Sequence, residues 1–382
     1  MTSPTGSQAA SQGGPPRKKL MVVIGTRPEA IKLAPVVAAI QASDWAECEL
    51  VLTGQHKELI DPLVEQFSLP VDHNLQAMRH DQALAPVTAR ILEGLDKLIE
   101  TSRPDAVIGQ GDTVSVLAAS MAAFFRQVPF AHVEAGLRTG NLHLPFPEEM
   151  NRVLTSRMTR WHFAPTDTAR GHLLREGVPE REIFVTGNTV IDALQMTLRQ
   201  AAPALPARPG RDFILVTAHR RENHGQPLLD ICGAIADLAQ RHPELDFIYP
   251  VHPNPRVKEV AHALLAQHDN VLLIEPCDYP VFCHLMSRSR LILSDSGGVQ
   301  EEAPALGKPV LVLRQETERP EAVDWGCNRL VGTDRQAIVE AVESLLGDTQ
   351  LYARMATAGS PYGDGQAALK ILAGLKDNLA AS

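Results

Sequence analysis

The chain has 382 residues, a length that suits two globular domains, and 44% of them are hydrophobic. No apolar run approaches the ~20 residues that a membrane-spanning helix needs, so the composition argues against a membrane protein. The formal net charge is −9 and the one basic stretch is Arg17-Lys18-Lys19, which argues against nucleic-acid binding through a broad positive face.

The first 19 residues are rich in Ser, Gly, Gln and Pro and lack the apolar segment of a signal peptide. They predict a disordered tail and a cytoplasmic protein. The five cysteines are scattered and odd in number, which does not indicate a disulfide framework. Cys277, Cys283 and His284 match no zinc spacing, so buried apolar cysteines are the favoured interpretation.

Beyond the tail, short apolar runs alternate with helical periods in two series. Continuous Val, Ile and Leu runs of this kind are typical of parallel sheets with helices on both faces. We therefore predict two doubly wound α/β domains, 20–187 and 188–363, with the Pro/Ala-rich segment 201–210 as the best linker candidate. The predicted strands lie at 20–26, 48–54, 105–112, 130–136, 161–166, 213–219, 246–252, 270–276, 291–297 and 309–314.

Nearly every predicted strand ends in polar or small residues, for example GTRPE, GQGDT, HVEAG, TAHRREN and SDSGG. In open parallel sheets, ligands bind outside the carboxyl ends of the strands. Turns are polar and glycine-rich in any protein. The density of His, Arg, Asp and Glu at these ends nevertheless favours one ligand cleft between two facing domains.

The segment LILSDSGGVQEEAPALGKPV (291–310) predicts an anion site. A helix that starts near Gly297 presents unpaired N–H groups to a phosphate, and Gly297 and Gly298 let the backbone approach it closely. Ser296 adds a hydroxyl donor, and Glu301 or Glu302 can accept hydrogen bonds from ribose hydroxyls. The structural alternative is an ordinary helix with Ser296 as its N-cap.

Two basic strand ends extend this prediction. Arg27 stands at a helix start, where a positive charge is unfavourable unless an anion is near, so it is a candidate diphosphate ligand supported by Lys32. A surface ion pair is the alternative for Arg27. His219 directly follows a buried strand, where an imidazole can bind phosphate or move a proton, and two arginines follow it.

Acidic residues form the third element of the predicted site. Asp112 and Glu134 end strands, and Glu148 and Glu149 follow Pro147 at a natural helix start. Carboxylates that crowd together repel one another, which raises some pKa values and creates acid–base pairs. For any single one, a structural salt bridge or a helix-start role explains the residue about as well.

Ten motifs in order carry a resemblance: GTRPEAIKLAPV, TGQH, QGDT, HVEAGLRTG, PFPEEMNR, VTGNTVIDAL, HRREN, PVHPNP, SDSGGVQEEAPALGKPVLVLR and TERPEAV. Together they closely resemble the non-hydrolysing UDP-N-acetylglucosamine 2-epimerase family over about residues 20–375. The resemblance implies a GT-B fold, two Rossmann-like domains that face each other across a cleft. It also implies that a C-terminal helix, 364–382, packs back on the first domain.

The resemblance further implies interconversion of UDP-GlcNAc and UDP-ManNAc by elimination of UDP to a 2-acetamidoglucal and its re-addition. Such a site must stabilise the departing UDP and position a base and an acid on opposite faces of the sugar. The implied catalytic residues are Asp112, Glu134, Glu148 and His219, with their roles left open. The substrate-binding candidates are Arg27, Lys32, Arg152, His219, Phe282, Ser296, Gly297, Gly298 and Glu302. Without the resemblance, Phe282 would be interpreted as a core residue, because an aromatic side chain in a helical stretch usually is one.

By the same resemblance, a second UDP-GlcNAc can act as an allosteric activator. The matching residues are Gln55, His56, Arg79, Arg220 and His252, although Lys57-Glu58 departs from the family pattern after TGQH. A homodimer is also expected. No metal and no nicotinamide are predicted, since the sequence has no G-x-G-x-x-G after a strand and no Asp-x-Asp pair.

Three other functions remain open on sequence grounds. A hydrolysing relative would use the same residues but release UDP and free sugar. A GT-B glycosyltransferase would move the sugar to an acceptor, for which three acids are more than the transfer needs. A non-catalytic nucleotide-sugar sensor would not need Asp112, Glu134 and Glu148.

Overall fold

The first half of the chain forms a parallel sheet. In the computed structural model, which describes residues 17–55, 57–79 and 83–380, seven strands pair in the order β3-β2-β1-β4-β5-β6-β7. Strands β4, β5 and β6 are buried along their whole length, because helices cover both faces of the sheet. The strands are β1 (Lys18–Ile24), β2 (Ala46–Leu52), β3 (Val71–Asn74), β4 (Ala106–Gln110), β5 (Phe130–Val133), β6 (Trp161–Ala164) and β7 (Ile183–Val185).

The second half forms another parallel sheet, with six strands among the described residues, in the order β10-β9-β8-β11-β12-β13. Strand β8 lies between β9 and β11, as β1 lies between β2 and β4 in the first sheet. Open parallel sheets bind ligands at these switch points of the strand order. The strands are β8 (Phe213–Thr217), β9 (Asp246–Pro250), β10 (Val271–Ile274), β11 (Leu291–Ser294), β12 (Val310–Val312) and β13 (Asn328–Leu330).

Helices follow most strands, as the alternating pattern predicts, and two 3₁₀ turns span Glu180–Glu182 and Arg221–Asn223. No helix in the described ranges has the length and apolar character needed to cross a membrane. The helices are α1 (Arg27–Gln41), α2 (Lys57–Gln66), α3 (Leu84–Ser102), α4 (Val114–Phe125), α5 (Glu148–Met158), α6 (Asp167–Arg175), α7 (Thr189–Leu198), α8 (Gln226–Arg241), α9 (Pro255–Leu265), α10 (Tyr279–Arg288), α11 (Gly297–Ala305), α12 (Pro320–Asp324), α13 (Arg335–Gly347), α14 (Thr349–Thr357) and α15 (Ala367–Ala380).

Helices α7 and α15 connect the two halves. Helix α7 packs on α1 of the first half and on α10 and α11 of the second. The C-terminal helix α15 packs on α1 and α7, and Asp192 of α7 accepts hydrogen bonds from the N–H groups of Ala367 (3.2 Å) and Ala368 (2.9 Å). Because α7 contacts helices of both sheets, the domain division after residue 187 stays a prediction.

The N-terminal tail ends earlier than its composition predicts. Lys18 and Lys19 belong to β1, where Lys18 pairs with Ala46 of β2 and its Nζ lies 2.9 Å from Asp105 Oδ1. The partner strand and the carboxylate stabilise two lysines that we assigned to the tail. The rest of the predicted tail, residues 1–16, lies outside the described residues.

Candidate functional site

The start of α11 has the features of an anion site. Ser296 occupies the N-cap position, and in the described chain its hydroxyl makes no capping hydrogen bond to the first turn. Ser294 Oγ, itself 2.6 Å from Thr217 Oγ1, accepts a hydrogen bond from the N–H of Ser296 and fixes this turn. Since the helix N–H groups at Gly297 and Gly298 carry a positive partial charge, an anion is stabilised there.

Gly297 has a second structural reason to be glycine. A Cβ on this residue would lie 2.7 Å from the guanidinium carbon of Arg319, closer than two such atoms can approach. The positive charge of Arg319 therefore lies directly beside the first residue of α11. Sequence reasoning attributed this glycine to a phosphate, and the missing Cβ also leaves room for the guanidinium of Arg319 in its observed position.

The loop that carries His219 is arranged around one buried carboxylate. Asp295 Oδ2 accepts hydrogen bonds from the backbone N–H groups of His219 and Arg220, both at 2.8 Å, and from Asn223 Nδ2 at 2.9 Å. His219 Nδ1 lies 3.2 Å from Asp295 Oδ1, an ion-pair distance without hydrogen-bond geometry. Asp295 thus places His219 at the end of β8, beside the start of α11.

Glu302 lies inside α11, where Tyr279 donates a hydrogen bond of 2.6 Å to its Oε1. Burial raises the pKa of Glu302 to about 7, although the Tyr279 hydrogen bond opposes the shift. This carboxyl therefore changes protonation state near neutral pH. Phe282, on α10 with Tyr279, is only partly buried and packs against the core.

Glu134 is held by three side chains. It follows β5 with a positive φ of 64°, a conformation that is uncommon for a residue other than glycine. Lys32 Nζ lies 2.5 Å from its Oε1, and Gln110 donates a hydrogen bond to its Oε2. Asn188 Nδ2 donates a third, at 3.1 Å.

Asp112 is held by Arg152 of α5, whose guanidinium donates to Asp112 Oδ2 at 2.6 and 3.0 Å and to Glu149 Oε2 at 3.0 Å. Glu149 also accepts the N–H groups of Thr139 (2.9 Å) and Gly140 (3.0 Å), so it has a structural role at the loop before α5. Glu148 is half-buried and makes no hydrogen bond or ion pair with the described residues. Its carboxylate is therefore not engaged by the fold. These four acids, Asp112, Glu134, Glu148 and Glu149, are called the acidic edge below.

Lys32 joins the acidic edge to α11. Its Nζ lies 3.5 Å from Glu301 Oε2, in addition to the contact with Glu134, and Asn188 Nδ2 donates to the same Glu301 oxygen at 3.3 Å. Burial alone would lower the pKa of Lys32, but the carboxylates of Glu134 and Glu301 raise it to about 12. Lys32 thus stays charged at neutral pH and brings the two halves of the site together.

Arg27, at the start of α1, makes no ion pair with any described residue, so the surface ion pair that we weighed for it is absent there. Its charge acts on Glu302, whose pKa it lowers against the larger effect of burial. Arg27 therefore lies within electrostatic reach of α11. This location suits the predicted contact of Arg27 with an anion.

Of the residues predicted to bind a second nucleotide, only some have contacts that connect them to the rest of the site. His252 stacks on His219, with ring centroids 6.0 Å apart and planes inclined by 10°. Arg220 contacts Glu318 at 3.1 Å, while Gln55 accepts a hydrogen bond from Ser115 at 2.7 Å. Arg79 is exposed, and His56 lies outside the described residues.

Several polar residues of the site escaped the sequence analysis: Glu29, Gln110, Asn188 and Arg319. Glu29 accepts hydrogen bonds from Gly25 N (2.5 Å), Thr26 N (2.9 Å) and Thr113 Oγ1 (2.5 Å), and so links the ends of β1 and β4. Burial raises the pKa of Glu29 to about 7. The spacing Thr26-x-x-Glu29 is a capping-box signature that could have identified it.

No group of three or more His, Cys, Asp or Glu side chains with the spacing of a metal site occurs in the part of the chain that the structure describes. The five cysteines, including Cys277 and Cys283, are free.

Comparison with known proteins identifies this arrangement. Residues 38–376 match the protein family described as UDP-N-acetylglucosamine 2-epimerase. The chain belongs to this family. A UDP-N-acetylglucosamine 2-epimerase of Escherichia coli K12 is 49% identical over 371 residues, which cover 94% of this chain and 99% of the relative.

Solved structures of UDP-GlcNAc 2-epimerases agree with this assignment. The Neisseria meningitidis protein bound to UDP-GlcNAc is 45% identical, with a TM-score of 0.85 over 94% of this chain and 100% of its own. The Methanocaldococcus jannaschii protein in complex with UDP-GlcNAc and UDP is 35% identical, with a TM-score of 0.77 over 94% and 99%. The predicted family, the enzyme class and the GT-B-type α/β fold with two parallel sheets are confirmed.

Proposed function

We propose that this epimerase-family chain interconverts UDP-GlcNAc and UDP-ManNAc by elimination of UDP to a 2-acetamidoglucal, followed by re-addition of UDP. The observation that carries the proposal is the position of Lys32. It contacts Glu134 of the acidic edge at 2.5 Å and Glu301 of α11 at 3.5 Å, so the proton-transfer groups and the anion site lie at one place.

In the elimination step, a carboxylate takes the proton from C2 of the sugar. The electrons of the C2–H bond form the C1=C2 double bond while the C1–oxygen bond breaks, and UDP leaves with that bonding pair. The start of α11, Arg27 and His219 stabilise the negative charge on the departing diphosphate. For the opposite epimer, an acid protonates C2 from the other face and a UDP oxygen forms the bond to C1 again.

We assign proton transfer to Glu134, Asp112 and Glu148, and give Glu134 the base role toward one epimer. Glu134 is buried and contacts Lys32, whereas Asp112 is oriented by Arg152. Glu148 has no partner among the described residues, which leaves its carboxyl available to a substrate. Glu302 accepts ribose hydroxyls, and Phe282 of α10 lies beside uracil.

The decisive experiment incubates the full chain with UDP-GlcNAc in deuterium oxide and follows the products by NMR. We expect UDP-ManNAc to appear with deuterium at C2, because each epimerisation exchanges that hydrogen with solvent. Epimerisation without label would contradict a proton-transfer mechanism. UDP accumulating in step with substrate loss would indicate hydrolysis instead, and no epimer in the absence of an acceptor would favour glycosyl transfer.

We further propose a second UDP-GlcNAc site around His252, Arg220 and Gln55. The stacking of His252 on His219 supports it, since a ligand on one ring affects the other. Conversion of UDP-ManNAc should then accelerate when traces of UDP-GlcNAc are added, and H252A should lose this acceleration but keep UDP binding. A rate that is independent of added UDP-GlcNAc would refute the second site.

A homodimer is the proposed assembly. Phe124 and Phe125 at the end of α4 are 59% and 61% exposed, and Leu154 of the neighbouring helix α5 is 44% exposed. Apolar surface of this kind is typical of a protein interface. Light scattering should give twice the chain mass, and F125S should shift the mass toward the monomer. A wild-type monomer at micromolar concentration would contradict the proposal.

A further inference from the structure

Six charged side chains of alternating sign form a continuous series from the acidic edge to the loop of His219. We call this series the charge chain. The successive contacts are Glu134–Lys32 at 2.5 Å, Lys32–Glu301 at 3.5 Å, Glu301–Arg319 at 2.7 Å, Arg319–Glu318 at 2.8 Å and Glu318–Arg220 at 3.1 Å.

The middle of the charge chain is buried, with side-chain exposures of 13% for Lys32, 4% for Glu301 and 20% for Arg319. Three acids and three bases make the series neutral. The electrostatic energy of each buried side chain depends strongly on its charged neighbours, because little water is present to screen the charges. A change of ion-pair partner at one end of the charge chain should therefore alter the ion pairs at the other end.

Arg319 is the member of the charge chain that a bound nucleotide diphosphate would contact. Its guanidinium carbon lies 2.7 Å from the position of a Cβ on Gly297, the first residue of α11. An anion at this helix start is thus adjacent to Arg319 and competes with Glu301 and Glu318 for its charge. The neighbouring loop of His219 is organised by Asp295, whose Oδ2 accepts the backbone N–H groups of His219 and Arg220.

We infer that Glu301 and Arg319 are positioning residues that determine how Lys32 is shared between Glu134 and Glu301, and so couple occupation of the diphosphate site to proton transfer by Glu134. The inference rests on the proposed function. When a diphosphate attracts Arg319, Glu301 retains Lys32 as its remaining cation. Lys32 moves toward Glu301, and Glu134 loses its ion pair at the moment when the substrate is bound.

The proton transfer follows from this change of partner. Glu134 without Lys32 is a stronger base, so it removes the C2 proton; the C2–H electrons form the C1=C2 bond, and UDP departs with the C1–oxygen pair. The groups that face Glu134 come from three elements, α1, β4 and α11, and from the N-cap positions of α7 and α12. They are Lys32 on α1, Gln110 at the end of β4, Asn188 before α7, Glu301 on α11 and Arg319 before α12.

The test measures C2 hydrogen exchange at saturating UDP-GlcNAc as a function of pH in E301Q and R319Q. Exchange needs ionised Glu134, so the rate falls on the acid side. E301Q leaves Lys32 to Glu134 alone, which should move the pH of half-maximal exchange down by about one unit and lower the plateau about tenfold. R319Q leaves Glu301 to attract Lys32, which should move the same pH up.

Three further variants separate this coupling from loss of structure. E318Q removes an acid whose side chain is 35% exposed and leaves the buried contacts of Glu301 in place. It should move the pH of half-maximal exchange in the same direction as E301Q. This variant therefore replaces E301Q in the test if E301Q folds poorly. R319K retains a positive charge, so its pH of half-maximal exchange should lie close to that of wild type and not show the shift of R319Q. D237N breaks the surface pair Asp237–Arg335 in the same half of the chain and should leave the profile unchanged.

Shifts of opposite sign in E301Q and R319Q, with UDP affinity within about threefold of wild type for E301Q, are the expected result. Shifts of the same sign, or none, with a folded and active protein overturn the coupling. If wild type itself shows no C2 exchange, the proposed epimerisation has failed instead, so the two failures are distinguishable.

Discussion

Two carboxylates in this protein are buried by different means. Glu134 of the acidic edge is neutralised by a side-chain cation, Lys32, whereas Asp295 in the second half accepts backbone N–H groups and one amide. Side-chain cations can change partner when a ligand arrives, while backbone donors cannot. The acidic edge therefore suits proton chemistry, and the surroundings of Asp295 suit a rigid anion site. Four predictions, in order of decreasing effect, test this contrast.

Glu134→Gln should have the largest effect. Removal of the charge abolishes proton transfer, and we expect C2 exchange in deuterium oxide to fall about 1,000-fold. The affinity for UDP, measured by calorimetry, should change little, because the proposed diphosphate site at the start of α11, Arg27 and His219 does not include Glu134. Substantial residual exchange would show that Glu134 is not the proposed base. It would also contradict the assignment of proton chemistry to the acidic edge.

Arg152→Gln should lower the turnover number about 100-fold, because Asp112 and Glu149 lose a shared guanidinium that orients them. Steady-state kinetics should show the loss in kcat more than in KM. The matched control is R126Q, which breaks a peripheral pair with Asp96. Equal losses in both variants would mean that Arg152 acts through general stability.

Asp295→Asn should weaken UDP binding about 30-fold, since about 2 kcal/mol is lost when a charged acceptor of several N–H groups is replaced. Isothermal calorimetry gives the affinity, and thermal unfolding should show a lower Tm. A variant that binds UDP normally would show that the His219 loop does not depend on its backbone acceptor.

The smallest effect concerns pH and Glu302. Its pKa is raised to about 7 by burial, so the carboxyl takes up a proton as the pH falls below that value and can no longer accept both ribose hydrogen bonds. UDP binding should weaken about tenfold between pH 8 and pH 6 from this group. In E302Q the contribution should disappear, leaving only the titration of UDP itself.

Y279F provides a control with a predicted direction. The hydrogen bond from Tyr279 lowers the pKa of Glu302 against the effect of burial. Without it, the midpoint of the binding curve should move to higher pH. A midpoint that moves down, or a pH-independent wild type, would show that Glu302 does not accept ribose hydroxyls.

Local signals were sufficient to predict most of the fold. The sequence predicts strands at 130–136 and 291–297 because each segment begins with apolar residues and ends in polar or small ones, and β5 and β11 lie within them. Strand β3, with the sequence VDHN, was missed because it is a short, polar edge strand. Strands β7 and β13 were missed because each has only three residues and no clear period.

From local pattern alone, the candidate site is predicted mainly where its residues follow strands or begin helices, and the family resemblance supplies Arg152 and Phe282. Asp112, Glu134 and His219 come directly after strands, so their position at the carboxyl edge was readable from the sequence. Glu301 was seen as one of two acids in α11, but its contact with Lys32 joins residues far apart in the chain. Such a partnership depends on how the two halves face each other, which no local pattern contains.

The position of α15 has a consequence for biosynthesis. Ile371 and Leu375 of this helix belong to the same buried apolar cluster as Leu33 and Val37 of α1. The first sheet is translated early, yet the part of α1 that α15 contacts is covered by this helix only after residues 367–380 have left the ribosome. Until then the nascent chain carries an open apolar strip, a surface suited to chaperones.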